Sequence, residues 1–268
     1  MIEKILLNLL WILPFLTVLF SIPIKENSPK LKRFHLASAG VVLLSSIYLL
    51  IQVFQNTITN PSSQIQLLYE TKLNWLNAIS AKYFIGIDAL SSMMLVLAAI
   101  IIFTGILATW RLEKGQKVFL GFFQILAASV YGVFISFDLV LFFVFYEMEA
   151  LCMYLLIAGY GSGNKDYGAK KLTLTLAIGS SMILAVFLGI YAETGTWNLI
   201  ELSKIALPES FQHYAFPILF LGFAVSSSLF PFHFWSPAGH SAAPTAVSMF
   251  AAGVMMKMGH EDSIILMS

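Results

Sequence analysis

FFVFYEMEALCMYLLIAGY, residues Phe142–Tyr160, sets Glu147 and Glu149 inside a run that is otherwise almost wholly apolar. A helix needs about 20 mostly apolar residues to cross a bilayer, and this stretch with the residues before it meets that length. A charged side chain at the centre of such a helix costs about 2.5–3.5 kcal/mol on insertion scales. Carboxylates kept at that depth therefore need a cationic partner, a wetted cavity or a retained proton. Each of those states is also what a proton relay requires.

The rest of the chain has the same character. Its 268 residues are 59% hydrophobic and 11% charged, with a mean hydropathy of +0.84. No water-soluble domain of this length has that balance, so the chain reads as an integral membrane protein. A formal net charge of +1 offers no basic face for nucleic acid. A single cysteine, Cys152, leaves no intrachain disulfide and no cysteine metal site. No GxGxxG follows a strand, no GxxxxGK[ST] occurs, and GYGSGNK at 159–165 reads as a turn between two spans.

The expected fold is an all-α polytopic membrane bundle with eight spans, roughly 5–24, 35–54, 84–110, 117–136, 138–160, 169–191, 213–236 and 244–260. The seventh is discontinuous: SSS at 226–228, then Pro231 and Pro237, remove backbone donors from a helix in hydrocarbon. The alternative is a helix that ends at Ser226 and is followed by a re-entrant loop. Lysine and arginine set the orientation. Ten of them (Lys25, Lys30, Lys32, Arg33, Arg111, Lys114, Lys117, Lys165, Lys170, Lys171) fall in one set of connections and four (Lys4, Lys72, Lys82, Lys204) in the other, which puts the N-terminus outside. The longest connection, Asn56 to Lys82, reads as an outer loop.

Few ionisable groups lie at membrane depth: Glu147, Glu149, Lys257, and His233 and His240 on either side of the break. Counted from Leu139, Glu147 lies about 12 Å into its helix. Two residues apart, the glutamates point about 200° away from each other, so they are expected on different faces with different tasks. Glu147 is the stronger relay candidate, and Glu149 reads rather as a helix-contact or subunit-facing group. Lys257 is either buried in a continuing helix or snorkels toward Glu261 and Asp262. His233 and His240 either carry protons or satisfy the backbone of the break.

Two motifs give a family resemblance. FYEMEALCMYLLIAGYG resembles the fifth-helix signature of the antiporter-like membrane subunits of respiratory complex I, most closely the chain M (chain 4) type, with Glu147 at the relay carboxyl. LFPFHFWSPAGHSAAPTAVSMFAAGVMMKMG resembles that family's broken seventh helix and eighth helix through Pro231, His233, Trp235, Pro237, His240, Pro244, Ser248, Gly253 and Lys257. The resemblance implies proton translocation driven by quinone reduction elsewhere in the complex, with a relay of Glu147, Lys257, His233 and His240. It implies no cofactor on this chain: quinone and NADH are bound by other subunits, and the partners are other membrane subunits and the bilayer. The implied location is an inner or equivalent energy-transducing membrane.

Three departures follow. The lysine usual at the break falls on Ser226, the motif's aspartate on Ala238, and after MKMG the chain reads HEDSIILMS. The expected organisation is spans 1–3 over residues 1–115 and a first antiporter-like repeat over 116–268, without the second repeat, as in a truncated chain M. Such a half is expected to translocate few protons alone. The rival readings are an Mrp-type cation/proton antiporter subunit, a membrane-hydrogenase subunit, or a non-transporting scaffold.

Overall fold

A computed structural model describes residues 2–26, 28–59, 67–110, 112 and 115–257. Six helices alternate in direction: α1 (Ile2–Ser21), α2 (Pro29–Thr59), α3 (Ala89–Ala108), α4 (Gln116–Ile135), α5 (Leu139–Tyr160) and α6 (Lys165–Thr194). These six are long and apolar enough to cross a membrane. A lone spanning helix satisfies its own backbone, which is why apolar runs of this length fold this way in lipid. α4 is the hub, buried along nearly its whole length. A short turn, α7 (Leu199–Leu202), follows α6.

The stretch expected as a seventh span is discontinuous. It consists of α8 (Glu209–Ser226), a 3-10 turn at Phe232–Phe234 and α9 (Trp235–Ala242). α8 ends in a Schellman cap: Ser228, at φ 57°, donates to the Val225 carbonyl, and Leu229 donates to that of Ala224. The Phe230–Pro231 peptide is cis. α10 (Thr245–Phe250) then returns along α3 and passes into a π-helical turn, Ala251–Met255. Glu261, Asp262 and the end of the eighth expected span lie outside the described residues, as do Arg111 and Lys114.

One part of the fold differs from expectation. Much of the stretch read as a loop, with the start of the third span, is an antiparallel hairpin of β1 (Leu68–Leu76) and β2 (Ala81–Ile87), in which Thr71 faces Ile85 and Leu73 faces Tyr83. Accordingly α3 starts at Ala89 rather than 84, capped by Asp88, whose side chain accepts from the Ser91 N–H. Hydropathy alone counts FIGI as membrane helix, whereas its backbone groups are claimed by a partner strand and by the α4–α5 corner.

The hairpin ties one end of the bundle together. The Phe137 N–H donates to the Phe84 carbonyl at 2.9 Å, and the Trp197 indole donates to the Ile79 carbonyl at 2.8 Å. Asp138 is the knot: one carboxylate oxygen accepts from the Val140 and Leu141 N–H groups that open α5, the other from the Lys82 N–H. Burial holds the Asp138 carboxyl above the usual aspartate range, against the pull of those N–H donors. The opposite, basic end carries Lys25, Lys30, Lys32 and Arg33, together with the start of α4.

Candidate functional site

The site is built where α5, α6, α8 and the π-helical turn meet. α6 and α8 touch backbone to backbone through Gly179 and Gly222. A Cβ on Gly179 would lie 2.9 Å from the Gly222 carbonyl oxygen, and one on Gly222 would lie 2.7 Å from Ile183 Cγ1. That contact brings the last turn of α8 against α6 and α5. Ser226, one turn beyond Gly222, is buried, and its Oγ pairs with the Tyr146 hydroxyl in a short hydrogen bond.

Around this pair lies a narrow cavity lined by Tyr146, Glu147, Glu149, Ser180, Ser226 and Met255, among others. Its space for water centres is about 10 Å³, room for about one water molecule. Glu149 is 2% exposed, and Glu147 is half-buried. One carboxylate oxygen of each, Oε1, is buried without a hydrogen-bond partner among the described residues. Among the described residues, the cavity lining contains no basic side chain.

The two glutamates stand on different faces of α5, yet they border one cavity. The cavity wraps around α5 rather than resting on one side, running from Glu149 past Tyr146 and Ala150 to Glu147. On a helix those four positions cover about 160°, an arc that two neighbouring helices can cover together. Glu149 is also the more deeply buried of the two. Its spacing from Glu147 gave no hint of this, because burial depends on what packs around the helix.

The other candidates lie apart from the cavity. Lys257, two residues beyond Met255 and so on the opposite side of the helix, is exposed. His233 is exposed and stacks on Phe230 with ring centroids 5.6 Å apart. His240 is half-buried, and its Nδ1 lies 2.9 Å from Ser248 Oγ, a bond from α9 to α10. Pro231 and Pro237 are exposed beside the break. Position 226, where the resemblance expects lysine, does face the α5 carboxylates, but with a hydroxyl.

Sequence reasoning missed Trp235 as the brace of the break. It is fully buried, and its indole N–H donates to the Val225 carbonyl at 2.8 Å, capping the end of α8 from α9. A tryptophan between two prolines in an otherwise apolar break was the available signal.

Residues 136–267 match the family described as NADH:quinone oxidoreductase/Mrp antiporter, TM. The chain is 30% identical over 249 residues to NAD(P)H-quinone oxidoreductase chain 4-2 of Synechocystis, covering 92% of this chain and 44% of that one. It is 28% identical over 264 residues to NADH-quinone oxidoreductase subunit M of Rickettsia typhi, covering 97% and 53%. The chain thus spans about half the length of these relatives. In fold it is similar to a chain of respiratory complex I from Thermus thermophilus with bound NADH, with a TM-score of 0.76 at 22% identity over 97% of this chain and 55% of that one. It is likewise similar to a chain of the Mrp complex from Dietzia, with a TM-score of 0.81 at 19% identity over 99% and 48%.

Proposed function

We propose, from the match of residues 136–267 to the NADH:quinone oxidoreductase/Mrp antiporter transmembrane family, that this chain works as part of a proton-translocating membrane subunit of an NADH:quinone oxidoreductase. The observation that carries the reading is the pair of buried, unpartnered carboxylate oxygens of Glu147 and Glu149 around one water-sized cavity. A carboxyl in that position takes a proton from a single water and returns it without a large rearrangement. The Tyr146–Ser226 hydroxyl pair stands where a basic group would otherwise sit, and offers hydroxyl dipoles instead of a fixed positive charge.

In this reading Glu147 is the relay carboxyl. Lys257, exposed on the far side of its helix, faces a partner segment and passes protons onward, and His233 and His240 act beside the break. Residues 1–115 form a supporting unit, and 116–268 an antiporter-like repeat. The N-terminus lies outside an energy-transducing membrane. The partners are the other membrane subunits, which leave quinone and NADH to subunits elsewhere in the complex.

The test is Glu147→Gln in the assembled membrane complex, with proton uptake by sealed vesicles followed by dye quenching under quinone-reducing conditions. Proton uptake should fall by about 10²-fold, the scale of one positioned acid–base group, while the complex still assembles. Uptake at the parental rate would overturn the assignment. Uptake that requires sodium would favour the Mrp-type reading.

A further inference from the structure

A second cavity, of about 230 Å³, opens between the basic ends of α1 and α4, away from the carboxylate site. Its walls are Val18, Ile22, Val118, Phe122 and Ile125. Gly121 lines the groove opposite Val18: a Cβ there would stop 3.7 Å from Val18 Cγ1, an ordinary contact, so a longer side chain at that position would enter the groove. At its rim stands Lys117, whose ammonium donates to the Ile22 carbonyl at the end of α1. An ammonium has three donors, so two N–H groups remain for an anion.

We infer that this groove seats one acyl chain of an anionic phospholipid, with Lys117 holding its phosphate. Both walls belong to helices long and apolar enough to span a bilayer, and Ile22 and Val118 are exposed at its edge. A groove between two spanning helices meets acyl chains first. Charge selects the headgroup. The turn after α1 and the start of α2 add Lys25, Lys30 and Arg33, all exposed, and among the described residues of these two segments the one acid is Glu26. Basic pockets between helices at a membrane face are suited to anionic headgroups. Lys32 is engaged elsewhere, donating to the Trp110 carbonyl at 2.5 Å.

The inference is independent of proton transfer, and its test reads lipid directly. The chain is placed in vesicles of equal phosphatidylglycerol and phosphatidylcholine with a photoreactive residue at Val118 and, as a control, at exposed Leu44 on α2. Val118 should capture phosphatidylglycerol over phosphatidylcholine by about fivefold, the scale of one lysine near a charged headgroup, and Leu44 should capture the two at the bulk ratio. Lys117→Ala should lower the ratio at Val118 toward the bulk value, Lys117→Arg should keep the preference, and Gly121→Leu should lower lipid capture at Val118. The same ratio at both positions, an unchanged ratio in Lys117→Ala, or a protein adduct at Val118 in the native membrane would overturn the inference.

Discussion

Trp235 Nε1 lies 2.8 Å from the carbonyl oxygen of Val225, so a side chain that opens α9 closes the end of α8 across the break. Each helix end leaves backbone groups unpaired, and lipid supplies no partner for them. The Schellman cap accounts for the carbonyls of Ala224 and Val225, and the indole adds a second donor to Val225. A discontinuous helix can persist at depth only with such internal partners.

Trp235→Phe therefore keeps an aromatic ring but drops the donor, and because the Val225 carbonyl keeps the Ser228 N–H it should cost about 0.5–1.5 kcal/mol of stability for the lost bond. Trp235→Ala, which also opens a cavity in a fully buried position, should cost about 3–5 kcal/mol. Unfolding of the detergent-solubilised chain in rising dodecyl sulfate orders the two. A Trp235→Phe chain as stable as the parent would mean that the indole N–H contributes nothing.

Gly222→Ala and Gly179→Ala should both loosen the α6–α8 contact, each by about 1–3 kcal/mol, but only one should be partly reversible. The Cβ added at Gly222 meets Ile183 Cγ1 at 2.7 Å and the Gly179 carbonyl oxygen at 2.9 Å, so Ile183→Ala relieves only the first of these contacts. The Cβ added at Gly179 meets the Gly222 carbonyl, which no side-chain change can trim. A double-mutant comparison by the same unfolding assay checks this asymmetry.

Glu149→Leu should raise stability by about 1–3 kcal/mol, because it removes a buried acceptor that lacks a partner. It should lower proton uptake at the same time. That pairing of signs is what a residue kept for function rather than packing gives. Uptake unchanged alongside higher stability would leave Glu149 with no part in proton transfer.

Asp138→Asn should separate the two tasks of this side chain. The carbonyl of the amide still accepts from the Val140 and Leu141 N–H groups, but its NH2 faces the Lys82 N–H, where no acceptor remains. Hydrogen exchange should quicken at Lys82 by about tenfold, a loss of about 1.4 kcal/mol in local protection. Exchange at Val140 and Leu141 should change less. Asp138→Ala should release all three amides.

The membrane bundle was legible in residue order, because hydrocarbon leaves the backbone no choice but to pair within its own segment, and apolar length then fixes the helices. The broken seventh helix was legible for the same reason, from the prolines that cannot donate. The hairpin was not, since FIGI is equally apolar in a strand or a helix and only pairing with β1 and the Asp138 corner decides between them. Nor was the meeting of Glu147 and Glu149. Position along α5 sets the angle between them, but the arc that its neighbours cover depends on how closely α6 and α8 approach, and that distance is set at Gly179 and Gly222. Sequence alone placed two costly carboxylates at depth. Packing determined that they border one cavity, with a tyrosine–serine pair beside them and the lysine turned away.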